Sequence, residues 1–236
     1  MKHDDLALFK KVLIGSLYDE SAWTFVSNEL PDPKVSWLIQ LKQRALAKFW
    51  QILARRGLYL LRPLPYDEDL RVNGTDWPLI GYSMIGAKRL DQLQIAVETV
   101  LDENVPGDFI ETGVWRGGSC MLIKQLLNLA NVSDRSVWLA DSFSGLPPPK
   151  DQFDGKDISD IAFLAVSEAQ VRQNFARFDL LDDQVKFLKG WFFDTLPDAP
   201  IDQIAVLRLG WGSLSFHHGC PQRPVSSRGT ERLCDR

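Results

Sequence analysis

A carboxylate followed by closely spaced glycines, Glu111-Thr112-Gly113-Val114-Trp115-Arg116-Gly117-Gly118-Ser119, is the chemically densest segment of the 236-residue chain. The apolar pair Phe109-Ile110 leads into Glu111, and the apolar stretch from Cys120 to Ala130 follows Ser119. That order predicts a strand, a tight turn and the start of a helix. Glycines in such a turn let the backbone approach a ligand closely, and the open amides of a helix start attract carboxylate or other anionic groups. A second strand-like run, Ser136-Val137-Trp138-Leu139-Ala140, ends in Asp141. A carboxylate in that place suits the two hydroxyls of a ribose. The loop reads E-x-G-x-x-x-G, not the G-x-G-x-x-G of dinucleotide-binding folds, which disfavours an NAD-dependent oxidoreductase.

These residues need a scaffold, and the rest of the chain reads as one. Leu90, Leu93, Val97, Val100 and Leu101 recur at helical spacing before the first strand. After Asp141 come a helix near Ser167 to Phe178, with Ser167 and Gln170 placed for a capping box, and the strand Val185-Lys186-Phe187-Leu188. A last strand is Ile204-Ala205-Val206-Leu207-Arg208-Leu209. Strands alternating with helices predict an α/β fold: a Rossmann-like parallel sheet covered on both faces.

Residues 1–70 are expected to form a helical N-terminal region. Ser36 is a fitting N-cap for a segment with Trp37, Leu38, Leu41, Ala45, Leu46, Phe49, Ile52 and Leu53 on one face, and Gly57 a fitting stop. The stripe reads as a packing face, against either the core or a second subunit, so a homo-oligomer stays open. A turn-rich stretch follows, from Arg62-Pro63-Leu64-Pro65 through Asn73-Gly74 to Trp77-Pro78.

A 45% hydrophobic and 25% charged composition is ordinary for a globular protein. A net charge of −4 argues against nucleic acid as a partner, since no basic surplus exists to neutralise phosphates. Three cysteines without short spacing read as reduced thiols. No signal peptide is visible, and no segment nears the roughly 20 apolar residues that span a bilayer. The expectation is a soluble, cytoplasmic protein without a membrane partner.

From about residue 70 to 209 the chain resembles the macrocin O-methyltransferase (TylF-type) family. The motifs that carry the resemblance are Asp76-Trp77-Pro78, Met84-Ile85-Gly86, Glu111 to Gly118, Asp141-Ser142-Phe143-Ser144-Gly145-Leu146-Pro147, Gly190-Trp191-Phe192 with Asp194-Thr195-Leu196-Pro197, and Ile204 to Leu209. The E-x-G-x-x-x-G spacing is likewise commoner in enzymes that bind S-adenosylmethionine. The resemblance implies an S-adenosylmethionine- and magnesium-dependent enzyme that methylates a sugar hydroxyl of a small-molecule metabolite. It implies that Ser83 and Met84 close over the methionine part of the cofactor. Glu111, Thr112, Gly113, Val114, Gly117 and Ser119 would hold its amino-acid end, Asp141 and Ser142 the ribose, and Gly190 and Trp191 the adenine. Trp115 and Trp191 have a second reading as packing residues, and Cys120 reads as a small buried helix residue.

The family pattern stops at Gly210. In the family the strand corresponding to Ile204–Leu209 runs into Asp-Gly-Asp-Leu-Tyr-x-Ser-Thr-Met, whose first Asp binds magnesium and whose second is the base. A later strand there ends in a further Asp-Asp pair that completes the metal site. Here Gly210-Trp211-Gly212-Ser213-Leu214-Ser215-Phe216-His217-His218 stands instead. Trp has the single codon TGG and Gly codons begin GG, so a reading frame one base later forces a central Gly and allows Asp on both sides. Residues 210–236 therefore read as a frameshifted, non-homologous and disordered tail, leaving 71–209 as a C-terminally incomplete methyltransferase domain. No catalytic residue and no metal ligand is assigned in this chain, and adjacent His217 and His218 do not suit one metal. The expectation is an inactive relative of a methyltransferase. The alternative is a non-catalytic module that binds an adenosyl ligand or serves assembly.

Overall fold

The computed structural model describes residues 3–18, 22–25, 49, 61–147 and 162–210. The elements are α1 (His3–Ile14), β1 (Ala22–Phe25), β2 (Leu61–Leu64), α2 (Glu68–Asn73), α3 (Gly86–Asp102), β3 (Asp108–Thr112), α4 (Gly118–Leu129), β4 (Val137–Asp141), a 3-10 turn (Ala162–Leu164), α5 (Glu168–Ala176), β5 (Val185–Lys189), α6 (Phe192–Thr195) and β6 (Ile204–Leu209). Strands β3 to β6 form one parallel sheet in the order β5-β4-β3-β6. All four expected strands and the helix after the glycine loop are present.

Strand β3 is buried from Phe109 to Thr112 because both of its faces are covered. Phe109 joins a large core with Leu90, Leu93 and Val97 of α3, Met121 to Leu127 of α4, and Val171 and Phe175 of α5. Its neighbour Ile110 points to the opposite face, where Trp138 and Ala140 pack with Leu188, Phe192, Leu196 and Ile201. Helix α4 is buried along most of its length. Even Lys124 is 1% exposed, and its three donors are met by Asn128 (2.5 Å), Gln184 (2.6 Å) and Asp182 (2.7 Å). Asp108 fixes the start of the sheet by accepting from Ser136 N (2.8 Å), just before β4, and from Trp138 Nε1 (2.7 Å) of β4.

The N-terminal region departs from the all-helical expectation. Ala22–Phe25 and Leu61–Leu64 pair antiparallel, with Trp23 opposite Pro63. Trp, Thr and Phe favour extended backbone, and a two-stranded ribbon has only edges, where a proline's missing N–H costs no ladder bond. The Arg62-Pro63-Leu64 segment is thus strand where turns were expected, and the helix expected from Ser36 lies outside the described residues. Helix α1 packs into the sheet's own core through Leu6, Leu13 and Ile14. Arg71, 1% exposed, ties α1 to the motif that follows α2: it donates to Ile14 O (2.7 Å), Gly15 O (3.1 Å) and Asp76 Oδ2 (2.7 Å).

The capping box of α5 is half formed. Ser167 Oγ accepts from Gln170 N at 3.2 Å, but the Gln170 side chain turns forward to Asn174 (3.0 Å). Among the described residues β6 is an edge strand, and Ile204, Leu207 and Leu209 are 48%, 46% and 59% exposed. No helix among the described residues is long and apolar enough to cross a membrane.

Candidate functional site

The carboxyl ends of β3, β4 and β5 lie side by side, and their loops are stitched together by backbone hydrogen bonds. Gly113 N donates to Ala140 O (2.9 Å), and Gly190 N donates to Asp141 O (2.9 Å). The segments carrying Glu111 to Gly113, Asp141 with Ser142, and Gly190 with Trp191 therefore meet at one rim, where open α/β sheets bind ligands.

Asp141 shapes this rim. Its Oδ2 accepts from Val114 N (2.7 Å) and Trp115 N (3.4 Å), and its Oδ1 accepts from Phe143 N (2.8 Å). A carboxylate offers about four acceptor positions. Three are taken by these backbone N–H groups and Ser142 Oγ lies 3.4 Å from Oδ1, so at most one position is left for a ribose hydroxyl while the loop is held. Ser142 is turned inward: its hydroxyl donates to Gly145 O (2.8 Å) and accepts from Ser144 N (3.1 Å).

The glycine loop enters α4 through Gly117, in the left-handed conformation at φ 91°, and Gly118. A Cβ on Gly118 would stand 2.6 Å from Tyr82 O and 2.7 Å from Ser83 Cβ. Only glycine lets the 82–83 segment lie this close to the helix start. Gly118 N donates to Tyr82 O (2.9 Å), while Tyr82 N and Ser83 N donate to Leu13 O at 2.7 and 2.9 Å. Ser83 is buried and Met84 half-buried beside it.

Trp115 adopts φ 50°, which is uncommon for a side-chain-bearing residue and is held here by its neighbours. Its indole donates to Phe163 O (3.1 Å), and Arg116 stacks 4.3 Å over its ring while donating to Leu79 O (2.7 Å) and Gly81 O (2.9 Å). Phe163 stacks in turn on Trp77 with ring centroids 5.8 Å apart. Of its two sequence readings, Trp115 takes the packing one. Trp191, by contrast, is 37% exposed at the start of α6.

Glu111 lies deeper than the loop. Its side chain is 2% exposed, with Oε1 on Arg208 and Oε2 accepting from the Cys120 thiol (3.0 Å). Burial pushes the Glu111 carboxyl above its ordinary range, against the pull of Arg208 and of hydrogen bonds from Cys120 and Ser119. Burial and the Glu111 charge push the Cys120 thiol well up, so it is a protonated donor and not a nucleophile. Cys120 is the buried helix residue expected. Arg208 was overlooked in the sequence, although a lone cation in an apolar strand beside a strand that ends in an inward carboxylate is a legible signal. Arg116 and the Trp77–Phe163 stack had no comparable signal, because their partners are backbone carbonyls and distant rings.

The rim suits an adenosyl cofactor on its own geometry. Thr112 Oγ1 is a buried hydroxyl oxygen without a hydrogen-bond partner at the end of β3. With it stand a loop that glycine alone allows and the Asp141 carboxylate at the end of the neighbouring strand. A divalent cation fits poorly. Among the described residues no group of three His, Cys, Asp or Glu side chains is placed to hold one. Gly210, where the resemblance expects a carboxylate, donates its N–H to Thr112 O (2.6 Å), and a Cβ there would meet that oxygen at 2.4 Å. His217 and His218 lie outside the described residues.

Comparison with known proteins agrees with this geometry. The family model described as Macrocin-O-methyltransferase (TylF) matches residues 2–214. Demethyldecarbamoylnovobiocin O-methyltransferase of Streptomyces niveus is 50% identical over 161 residues, which are 66% of this chain and 62% of that protein. Mycinamicin III 3''-O-methyltransferase of Micromonospora griseorubida is 41% identical over 186 residues, 76% of this chain and 73% of that protein. The solved structure of the O-methyltransferase NovP superposes with a TM-score of 0.67 at 40% identity, covering 89% of this chain and 72% of that one. The chain thus spans about three fifths of the length of the novobiocin relative. On the family match, the sheet order and the glycine loop together, this chain belongs to the macrocin O-methyltransferase (TylF) family.

Proposed function

We propose that residues 71–209 bind S-adenosylmethionine or its demethylated product, on the scaffold of an O-methyltransferase that acts on a sugar hydroxyl of a small-molecule metabolite. The observation that carries the reading is Asp141, whose carboxylate ends β4 at the rim and holds the glycine loop through Val114 N and Trp115 N. Val114, Gly117 and Ser119 shape the pocket for the amino-acid end, Ser83 and Met84 cover it, and Gly190 and Trp191 border the adenine. Thr112 Oγ1 stands ready as a partner for a polar ligand atom.

When bound, the sulfonium cofactor would supply an electrophilic methyl group to an acceptor oxygen. A sugar hydroxyl is a weak acid, so transfer needs a base or a cation to lower its pKa. The carboxylates here are committed elsewhere, Glu111 to Arg208 and Cys120, Asp141 to the loop. Gly210 offers no side chain. We therefore read the chain as a binder without turnover, with 210–236 as a frame-shifted replacement of the segment that bears the magnesium ligands and the base. The named activities of the relatives, on novobiocin- and mycinamicin-type precursors, support a glycoside-like acceptor for the lineage.

Equilibrium dialysis with S-adenosylhomocysteine, and with NADH as competitor, tests the reading. Saturable binding that NADH does not displace is expected. Absence of binding, or preference for NADH, would overturn it.

A further inference from the structure

Buried Glu111 and partly buried Arg208 form an ion pair across two neighbouring strands. The two residues are direct partners in the β3–β6 ladder, and Arg208 reaches Glu111 Oε1. The carboxylate is faced by Arg208 from β6, Cys120 and Ser119 from α4, and Asp141 from β4. Asp141 adds a second negative charge, and the Cys120 thiol stays neutral. Among the described residues Arg208 is thus the single cation facing it. Without that cation, burial and the Asp141 charge both favour the protonated carboxylic acid.

We infer that Arg208 is a positioning residue for adenosyl-ligand recognition: it holds the Glu111 carboxylate ionised and oriented beneath the glycine loop. The inference rests on the adenosyl reading above. An ionised Glu111 keeps acceptor oxygens toward Cys120 and Ser119 at the first turn of α4, and presents negative charge where a ligand ammonium group would lie. A protonated Glu111 would turn one oxygen into a donor, which conflicts with the thiol that now donates to it. The strand that supplies Arg208 is the last before residue 210, so correct seating of β6 and the charge state of the cofactor floor are linked.

The test compares the full-length chain with its R208K, R208M and E111Q variants. Infrared difference spectra against E111Q read the protonated carboxyl band of Glu111 as pH is varied, in dilute or concentrated protein alike. Equilibrium dialysis of labelled S-adenosylhomocysteine reads affinity over the same range. Glu111 is expected to protonate at higher pH in R208M than in the unaltered chain, with R208K close to the unaltered chain. Affinity in R208M should then fall by about tenfold per pH unit below the shifted value. Identical Glu111 titration in the unaltered chain and R208M would overturn the inference. So would a pH-independent loss of affinity that is equal in R208K and R208M, the result of a purely structural role. If R208M does not fold, the titration of the unaltered chain decides: a Glu111 protonated near neutral pH despite Arg208 overturns the inference, and an ionised one supports it. A chain that binds no S-adenosylhomocysteine while Glu111 titrates as expected overturns the adenosyl reading and leaves the charge-holding role of Arg208 supported.

Discussion

Asp141 Oδ2 lies 2.7 Å from Val114 N, so the carboxylate that ends one strand holds the ligand loop that leaves its neighbour. The sequence marks both residues as parts of one site, yet it gives Asp141 only a ligand-facing task. In the structure the same two oxygens hold the loop through Val114, Trp115 and Phe143, a task separate from the proposed contact with ribose.

Asp141→Ala is therefore expected to do more than remove a ribose partner. Charge-assisted hydrogen bonds contribute about 1.5–3 kcal/mol each, so affinity for S-adenosylhomocysteine should fall tenfold or more. Asp141→Asn, which keeps the shape and one acceptor oxygen, should lose less. Equal affinity for the unaltered chain and Asp141→Ala would show that ribose is held elsewhere.

Gly118→Ala tests the close approach of the 82–83 segment. The new Cβ would sit 2.6 Å from a backbone oxygen, which cannot rotate away as a flexible side chain would. A destabilisation of about 1–3 kcal/mol is expected, typical of overpacking, and thermal denaturation reads it. An unchanged melting temperature would mean that this segment is free to move.

Glu111 gives a pH dependence with a definite sign. Its folded pKa lies above the ordinary value of 4.5, chiefly because it is buried. Between those two values the folded chain holds more protons than the unfolded chain, so this group's contribution to stability falls as pH rises. The contribution is fully present below 4.5 and is lost as pH climbs through the raised folded value. Denaturant titrations should show a steeper fall for the unaltered chain than for Glu111→Gln across that window. Parallel curves would contradict the assignment.

The β6 edge makes a solubility prediction. Half-exposed Leu207 and Leu209 stand on a strand with one unpaired side among the described residues, a template for pairing with another chain. Leu209→Lys should raise the soluble fraction and reduce association in sedimentation velocity. No change in either would show that this edge is covered.

The sheet was legible because its strands carry short apolar runs between turn residues. Phe109-Ile110 is buried on both faces, and Ile204–Leu207 is apolar although it lies half exposed at the edge. The glycine loop and Asp141 were legible because few other tasks need those residue types at that spacing. The β1–β2 ribbon was not, since four-residue strands carry too short a pattern and Pro63 speaks against one of them. Nor was the half-formed cap at Ser167: whether Gln170 turns back or forward is decided by Asn174, a neighbour one helical turn away. The commitment of Glu111 to Arg208 depends on strand register, which only the folded sheet sets.

As proposed above, the described residues keep an adenosyl site, and among them no group of three His, Cys, Asp or Glu side chains is placed to hold a metal that would activate an acceptor hydroxyl. The most direct test is transfer of labelled methyl from S-adenosylmethionine to a panel of deoxysugar glycosides, with and without magnesium. Saturable cofactor binding and no transfer under either condition are expected. Restoring the reading frame at codon 210 should recover magnesium-dependent turnover. Magnesium-dependent methyl transfer by the chain as it stands would contradict the account, because other carboxylates would then have to serve as ligands and base.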